Sequence, residues 1–444
     1  MKAPCIIFSI LYLFSLSIYS QQVQDPYEVG IWPGFRTAAI NYTFDDGCSN
    51  QFKTAIPLFD EFGFNLTLFT VTNWVGNWAA LESAAANGHE VASHTVTHAD
   101  FRNITLEQQE TELKNSREII ESHIPDNKCI TMAYPYCATG ADTICSKYYL
   151  SARGCQGFVE PKTPGSYFNI SSVICGNLGD INTLQDFKLR FTDAANKNGW
   201  CVFLIHGIDD DGGYSPITSG ELRRSVEYLS VRKSKFWVTT FASATLYSRE
   251  RDAVNVIETM VTDSSMTLQV TDTLPDLVYN FPLTLRCPLP ADWPSANVTQ
   301  DSVTVPKRIV LVDTTVYLNF DVVPDAGNVI ISKNLTPVTP EADTIPGDDV
   351  DPPSDIRQTS INNSAIQAVY DKGTLIIALN DIISSNLMIY IYDTRGIMLM
   401  SKKQKSSGDN TISIAIASDN LCNGVYYVYL SDGKNTWSQK FLVI

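Results

Sequence analysis

Apolar and polar positions alternate in short runs along the first half of the chain, and helical patterns separate these runs. On an extended chain, one side of residues 38–45 would carry Ala38, Ile40, Tyr42 and Phe44, and the other side Ala39, Asn41, Thr43 and Asp45. This period of two predicts a β-strand over residues 38–44. Similar runs predict further strands at residues 65–72, 90–94, 129–134, 148–153, 201–206 and 236–241. Strands and helices in alternation predict an α/β fold with a largely parallel sheet or a barrel.

Two of the intervening helices have recognisable starts. Thr105 with Gln108, and Thr218 with Glu221, have the spacing of a capping box. In parallel α/β barrels the catalytic groups collect where the strands end. Polar residues at the predicted strand ends are therefore the first candidates for a functional site.

The pattern changes after about residue 250. Residues 251–333 contain strand runs with little helical pattern, which predicts a small β-sandwich. Residues 334–357 are rich in proline and acidic residues, which predicts an extended linker. Residues 358–444 are again all-β. We therefore expect an α/β domain over residues 21–250, followed by two small all-β sandwich domains.

The charge and the N-terminus bear on partners and compartment. The formal net charge of −16 argues against nucleic acid or an anionic membrane surface as a partner. Residues 1–20 combine Lys2 with an apolar run at residues 6–18, which is the layout of a signal peptide and is too short for a membrane span. No other run approaches a transmembrane segment. We expect a soluble protein that is exported.

The cysteines leave the redox state open. Loss of Cys5 with the signal peptide would leave nine of the ten cysteines, so at least one thiol stays free or pairs between chains. No C-x-x-C spacing is present, which disfavours a cysteine metal site. The pairing of the cysteines does not follow from the sequence.

Two adjacent carboxylates end the first predicted strand. Asp46 would point to the apolar side of the strand, where an unpaired charge is unfavourable, and Gly47 permits a sharp turn there. Neighbouring carboxylates repel each other unless a cation lies between them. His94 and His98 lie at another strand end, with the spacing at which one helical turn presents two imidazoles to a divalent metal. An Asp–His–His set with an open position is typical of hydrolytic metal centres.

The remaining histidines divide into two groups. His206 ends the predicted strand at residues 201–206 and is a candidate for the same site. His89 precedes a predicted strand and His123 closes a polar helix. Both of these have a structural explanation.

Four ordered motifs at strand ends carry a resemblance to a known family. TFDDG, SHTVTH, AYPY and FLIHG resemble the motifs of the polysaccharide deacetylases of carbohydrate esterase family 4, the NodB homology group, over roughly residues 27–250. The resemblance implies a distorted (β/α) barrel. It also implies a divalent metal, with Zn²⁺ favoured and Co²⁺ or Ni²⁺ as alternatives.

The resemblance further implies a role for each matched residue. The implied metal ligands are Asp46, His94 and His98. Asp45 would take a proton from the metal-activated water, and His206 would protonate the leaving group. The backbone N–H of Tyr136 would help to hold the oxyanion. The implied reaction removes acetyl groups from an acetylated polysaccharide or oligosaccharide, either N-acetyl groups of chitin or peptidoglycan or O-acetyl groups of xylan.

The third motif departs from the family pattern. It usually begins with an arginine that holds the catalytic aspartate, and Ala133 stands there. Arg153, at the end of the predicted strand at residues 148–153, is the candidate to take over this role, and a solvated surface arginine is the alternative. The aspartate–tryptophan element of the family is not cleanly recognisable either, and Asp180 is its nearest stand-in.

Aromatic residues near the strand ends are candidates for substrate contacts. Trp74 and Trp78 follow the predicted strand at residues 65–72, and Tyr214 lies in the acidic, glycine-rich loop after His206. The indoles could stack on sugar rings, and Tyr214 could line the cleft. Packing on the barrel rim is the alternative for the tryptophans, and a mobile loop is the alternative for Tyr214.

The last segment carries a second resemblance. IYIYDTRGIML, GVYYVYL and the closing KFLVI resemble the type A sorting domains of type IX secretion. The resemblance implies recognition by the type IX machinery of the outer membrane, and a protein that is released or attached to the outer cell surface. A β-sandwich binding module is the alternative.

Three functions are compatible with these residues. The leading hypothesis is an exported, metal-dependent polysaccharide deacetylase. A catalytically impaired, deacetylase-like surface protein that binds glycans is the alternative suggested by Ala133. A glycosidase that uses Asp45 and Asp46 as its carboxylate pair is disfavoured, because adjacent residues seldom reach across a sugar and the histidines would have no role.

Overall fold

The computed structural model describes residues 22–125 and 127–342, and the strands that lie between residues 366 and 443. The predicted signal peptide and most of the predicted linker lie outside the described residues. Three parts are described separately below. They are the barrel (residues 36–245), the sandwich (residues 22–35 and 246–342) and the C-terminal sheets.

Two short N-terminal strands, β1 (Gln22–Val23) and β2 (Glu28–Val29), precede the barrel in the chain. The strands of the barrel are β3 (Ala38–Asp45), β4 (Thr67–Thr70), β5 (Glu90–Ser93), β6 (Thr131–Ala133), β7 (Ser151–Arg153), β8 (Val173–Ile174), β9 (Trp200–Ile205) and β10 (Phe236–Val238). All pairs are parallel, in the order β7-β6-β5-β4-β3-β9-β8, with β10 beside the first half of β3. The segment before β8 bonds to β7, since Ile170 N donates to Ala152 O, and this brings the ends of the sheet together. The distorted (β/α) barrel is therefore confirmed.

Helices connect the strands, as parallel pairing requires. They are α1 (Ile56–Phe62), α2 (Trp78–Ala86), α3 (Leu106–His123), α4 (Asp142–Cys145), α5 (Leu184–Lys197), α6 (Ser219–Ser230) and α7 (Phe241–Ala253). The capping box of Thr105 and Gln108 is confirmed at the start of α3. Thr218 caps α6 by accepting from Glu221 N, but the Glu221 carboxylate accepts from Leu184 N instead of closing the box.

The alternation along β3 separates two buried environments. The apolar side packs under the helices, where the Tyr42 ring lies 5.0 Å from the Phe59 ring of α1. The polar side faces the barrel interior, where Asn41 Nδ2 donates to Thr239 O and Thr43 Oγ1 donates to Phe203 O. Every residue of β3 is buried, as in other parallel sheets with two covered faces. The interior of the barrel is therefore polar, and Asp45 enters it from the end of β3.

All the strands predicted for the barrel are present, and most are shorter than predicted. The structure adds β8, which has two residues and is too short to show a period in the sequence. The third capping box, Thr183 with Asp186 at α5, also went unpredicted because an aspartate takes the place of the usual glutamate or glutamine.

The sandwich contains two sheets of mainly antiparallel strands. Its further strands are β11 (Asn255–Val261), β12 (Ser265–Thr271), β13 (Leu283–Pro288), β14 (Ser295–Gln300), β15 (Val303–Thr304), β16 (Lys307–Val312), β17 (Thr315–Val322), β18 (Val329–Asn334) and β19 (Glu341–Ala342). The sheet orders are β1-β11-β12-β18-β14-β15 and β19-β16-β17-β13-β2. The N-terminal strands β1 and β2 thus pair in this unit, whereas the sequence placed residues 22–35 in the α/β domain.

The C-terminal sheets are also all-β. Their strands are β20 (Ile366–Asp371), β21 (Thr374–Leu379), β22 (Asn386–Asp393), β23 (Met398–Lys405), β24 (Thr411–Ala415), β25 (Gly424–Ser431) and β26 (Thr436–Val443). They form sheets of order β20-β21-β24 and β23-β22-β25-β26. Side chains from both sheets share one apolar core, which includes Leu375, Ile389, Ile414 and Val428. This arrangement agrees with the predicted all-β fold of the last segment.

Within the part of the chain that the structure describes, no helix is both long and apolar enough to cross a membrane.

Candidate active site and metal centre

Strand β3 delivers two carboxylates to the carboxyl end of the barrel. Asp45 is its last residue and is buried. Asp46 and Gly47 both adopt a left-handed backbone, with φ of 70° at each. The sequence predicted this turn at Gly47 alone, and the structure shows that Asp46 shares it, a conformation that aspartate tolerates better than most residues. The turn brings the Asp46 carboxylate towards the histidines that follow β5.

Asp46, His94 and His98 form a cluster that fits a divalent cation. One ligand atom from each residue lies within 4.8 Å of the others. Asp46 Oδ1 lies 3.6 Å from His94 Nε2 and 3.4 Å from His98 Nε2. This Oδ1 is buried and has no hydrogen-bond partner among the described residues, although buried polar atoms are normally paired. A cation between the three side chains would satisfy it.

The surroundings of His94 prepare it as a ligand. Its Nδ1 lies 2.8 Å from Ala133 O, so this nitrogen carries the proton and Nε2 keeps a free lone pair. Burial lowers the pKa of His94 to about 4, which keeps the imidazole neutral. A neutral imidazole is the form that binds a metal.

The two histidines approach each other on a loop, and the predicted helical turn between them is absent. Thr95 and His98 both have a left-handed backbone, with φ of 69° and 59°. Glu112 of α3 accepts the N–H groups of residues 96–97 at 2.8 and 2.9 Å, and so holds the loop from below. The spacing of His94 and His98 therefore predicted their proximity correctly, through the wrong local structure.

Arg153 pairs with Asp45 inside the barrel. Its Nη2 donates to Asp45 Oδ2 at 2.5 Å, and its Nη1 donates to Thr43 Oγ1 at 3.3 Å. The side chains of Arg153 and Asp45 are 1% and 2% exposed, which excludes a solvated surface arginine. Arg153 is the register partner of Ala133 on β6, and paired residues of neighbouring strands point to the same face. The arginine that the family motif places at position 133 thus has an equivalent one strand further along.

Burial and neighbouring charges give the two carboxylates different acidities. Burial by itself raises the pKa of Asp45, but the charges of Arg153, His94 and His206 outweigh it and hold this pKa below its ordinary value. Burial, followed by the negative charge of Asp45, raises the pKa of Asp46 to about 6. Asp45 is therefore ionised through its own protein partners, whereas the charge of Asp46 calls for a cation.

His206 lies directly after β9 and faces both carboxylates. Its Nε2 lies 3.8 Å from Asp45 Oδ2 and 4.0 Å from Asp46 Oδ2. Gln51 is fully buried, and its Nε2 donates to Asp45 O at 2.6 Å and to His206 O at 3.0 Å. Gln51 therefore ties the ends of β3 and β9 together. The sequence analysis missed it, because no spacing in the sequence marks a residue that acts on two backbone carbonyls.

Asp180 does not support His206. Its carboxylate is 67% exposed and lies 3.7 Å from Arg190 Nη2. The hypothesis that Asp180 replaces the family's supporting aspartate is therefore wrong. His206 Nδ1 is buried and has no hydrogen-bond partner among the described residues.

A disulfide holds the turn after β6. Tyr136 and Cys137 both have φ of 56°, and each left-handed residue costs on the order of 1–2 kcal/mol. Cys137 is joined to Cys155, two residues beyond Arg153. The exposed ring of Tyr136 lies edge-on to His98, with the ring centroids 4.6 Å apart. The disulfide thus connects the turn that carries Tyr136 to the strand that carries Arg153.

Two of the three predicted substrate-contacting aromatic residues lie beside this cluster. The ring of Trp74 is 4.9 Å from that of His98, and the ring of Tyr214 is 5.1 Å from that of His206. Both side chains are about half exposed. Trp78 lies apart from them, because its indole stacks on His123 of α3 at 4.1 Å.

Comparisons with known proteins match two parts of the chain. The family model of the polysaccharide deacetylases matches residues 35–151. The model of the secretion system C-terminal sorting domain matches residues 371–444.

Three curated relatives share part of this sequence. A gellan lyase of a Bacillus species is 27% identical over 326 residues, which are 68% of this chain and 13% of the lyase. Chitin deacetylase 1 of Bombyx mori is 30% identical over 120 residues, which are 23% of this chain and 22% of that protein. A chitooligosaccharide deacetylase of Bradyrhizobium is 28% identical over 157 residues, which are 34% of this chain and 71% of that enzyme. The chain thus spans only a small part of the length of the first two.

Solved structures with a similar barrel include two carbohydrate esterases. The family 4 carbohydrate esterase from Streptomyces lividans has a TM-score of 0.32 at 19% identity, over 47% of this chain and 94% of that one. The Xyl-CE4 domain of a multidomain xylanase from the hindgut metagenome of Trinervitermes trinervoides has a TM-score of 0.34 at 18% identity, over 47% of this chain and 89% of that one.

We predict that Asp46→Ala and His98→Ala each abolish stable metal binding, because each leaves only two of the three ligand side chains. Metal analysis of the Zn²⁺-loaded protein after gel filtration measures this. The wild type should retain one ion per chain. His123→Ala removes a histidine outside the cluster and should retain the wild-type content. Full metal content in Asp46→Ala would contradict the assignment of the site.

Proposed function

Residues 35–151 of this chain are a polysaccharide deacetylase domain and residues 371–444 are a secretion sorting domain, and on this basis we propose that the protein is an exported, metal-dependent hydrolase that removes acetyl groups from a polysaccharide. One observation carries the proposal. The chain gathers Asp45, His206 and the Asp46–His94–His98 cluster at one end of the barrel, with the closest contacts between these side chains at 3.4–4.0 Å.

The cluster fits a divalent cation, with Zn²⁺ as the first candidate and Co²⁺ or Ni²⁺ as alternatives. Two imidazoles and one carboxylate are a ligand set that zinc hydrolases use. When bound, the cation would lower the pKa of water and polarise an acyl carbonyl. Asp46, His94 and His98 would hold it.

The residues around the cluster would manage the protons. Asp45 is ionised, buried and fixed by Arg153, and its Oδ1 has no partner among the described residues, so this oxygen is free to accept a proton. His206 lies within 4.0 Å of both carboxylates and would donate a proton to the leaving amine or alcohol. The N–H of Tyr136, on the disulfide-held turn, would donate to the developing oxyanion.

The substrate class follows from the deacetylase domain and from the exposed rings beside the centre. Trp74 and Tyr214 offer aromatic surface next to His98 and His206, where a sugar ring could lie. The names of the relatives include chitin, chitooligosaccharide and gellan, which are all carbohydrates. We propose an acetylated polysaccharide or oligosaccharide, with the acetyl group held as an amide or as an ester.

The sorting domain supports export by the type IX machinery, followed by release or attachment at the outer cell surface. The predicted signal peptide at residues 1–20 would provide the first step across the inner membrane.

The alternative, an inactive glycan-binding surface protein, rested on the missing arginine at position 133. The buried Arg153–Asp45 pair weighs against it, because Asp45 has the cationic partner that this alternative assumed to be lost. We therefore favour an active enzyme.

We predict that the Zn²⁺-loaded protein releases acetate from at least one member of a panel of chitin oligomers, peptidoglycan and acetyl-xylan. Release should stop after chelation and should fall by about 100-fold or more in Asp45→Asn, the range typical of lost general acid–base catalysis. Asp180→Asn changes an exposed aspartate and is the matched control. Acetate release that survives both metal removal and Asp46→Ala would contradict the proposal.

We predict that Arg153→Gln shifts the acid limb of the rate profile to higher pH. The guanidinium lowers the pKa of Asp45, so its loss raises that pKa and protonates the base at a pH where the wild type is still active. Turnover should fall more steeply below neutral pH than above it, while metal content stays unchanged. Arg190→Gln, at a partly exposed arginine paired with Asp180, is the control. An unchanged profile in Arg153→Gln would show that Arg153 does not act through Asp45.

A further inference from the structure

A cavity of about 340 Å³ lies beside the metal cluster, between the loop after β3 and the loop after β4. This volume is at the lower end of the range of about 300–1,000 Å³ for small-molecule sites. Its inner wall includes the buried side chains of Leu68, Val71 and Leu81. None of the roles assigned above to the chain uses this cavity.

The cavity is continuous with the centre through two side chains. Asp46 lines it and also lies 3.4 Å from His98 Nε2. Trp74 lines it and also places its ring 4.9 Å from the His98 ring. A group that enters the cavity is therefore within reach of a group bound at the cluster, and both can belong to one substrate molecule.

Gln51 indicates what the cavity can bind. It lines the cavity, is fully buried, and has its Nε2 engaged by the carbonyls of Asp45 and His206. Its Oε1 is buried and has no partner among the described residues. A buried acceptor without a partner costs about 1–3 kcal/mol, so a ligand that supplies an O–H or N–H there gains that much in return.

The other lining groups narrow the ligand further. Ser49, Lys53 and Asn77 are exposed and place polar groups at the mouth. Phe52 and Trp74 supply aromatic surface. An aliphatic acyl chain would leave Gln51 Oε1 unpaired, whereas a sugar ring presents hydroxyl donors together with apolar C–H faces that pack on aromatic rings. The lining therefore favours a sugar ring over a long acyl group.

We propose that this cavity is a subsite for a sugar unit next to the acetylated one, so that the enzyme acts on oligomers or polymers in preference to single acetylated sugars. This inference rests on the proposed function, and it names the part of the substrate that the metal cluster does not hold. Gln51 would accept a hydroxyl of that unit, and Trp74 would lie between the two sugars.

The test fills the cavity from helix α2. Ala80 lines the cavity and Ala79, its neighbour on the same helix, is exposed and does not. We compare kcat/KM for acetate release from N-acetylglucosamine and its β-1,4-linked trimer, and from mono-acetylated xylose and acetylated xylotriose. The wild type should prefer a trimer over its monomer by about tenfold or more, Ala80→Phe should lose this preference, and Ala79→Phe should keep it.

Equal kcat/KM for monomer and trimer in the wild type, or an unchanged preference in Ala80→Phe, would overturn the subsite while leaving the deacetylase function intact. A wild type that releases no acetate from any of these sugars would count against the function, and binding then decides the subsite. Calorimetric titration of Asp45→Asn should show a trimer binding about tenfold more tightly than its monomer, and Ala80→Phe in that background should remove the difference. Equal binding of monomer and trimer would overturn the subsite.

Discussion

The buried ion pair between Arg153 and Asp45 is the interaction on which the geometry of this site depends. Two charges with exposures of 1% and 2% are stable in a protein interior only as partners, and removing one of them typically costs about 3–5 kcal/mol. The pair joins the end of β7 to the end of β3 across the barrel. The Cys137–Cys155 disulfide extends the connection to the turn of Tyr136, so the base and the oxyanion donor are held by one linked set of residues.

The pair is accommodated because the barrel interior is polar along its length. Further along the interior, Glu90 accepts from Thr67 Oγ1, Thr131 Oγ1 and the N–H of Ala242. Burial raises the pKa of Glu90, and these hydrogen bonds oppose that shift. Such bonds fix the register of neighbouring strands, because a shift by one residue would leave buried donors and acceptors unpaired. A polar interior thus positions the strand ends, while the apolar sides of the same strands pack under the helices.

Much of this site could be predicted from local sequence pattern. The alternation at residues 38–45 placed Asp45 on the polar side of a strand, and the family motifs picked out His94, His98 and His206. What failed depends on contacts between distant residues. The loop that joins His94 to His98 is held by Glu112, eighteen or fewer residues away in sequence but on another element, and no spacing rule indicates its left-handed turns.

Arg153 was identified only as one of two alternatives, because the register of β6 against β7 decides whether it meets Asp45, and register cannot be read from either strand alone. Asp180 and Trp78 show the opposite error. Both lie close in sequence to candidate residues, yet Asp180 turns out to Arg190 and Trp78 turns to His123 at the start of a helix. Gln51 acts through backbone carbonyls of two strands, which only the folded chain brings together.

The most direct test of this account is to move the arginine back to the family position. Ala133 and Arg153 are register partners, so an arginine at position 133 should reach the same part of the interior when residue 153 is small. The measurement is kcat for acetate release by Arg153→Ala and by the double variant Arg153→Ala/Ala133→Arg, both loaded with metal. The account predicts a large loss in the single variant and substantial recovery in the double variant. Wild-type turnover in Arg153→Ala, or a folded and metal-loaded double variant that stays as inactive as the single one, would contradict it.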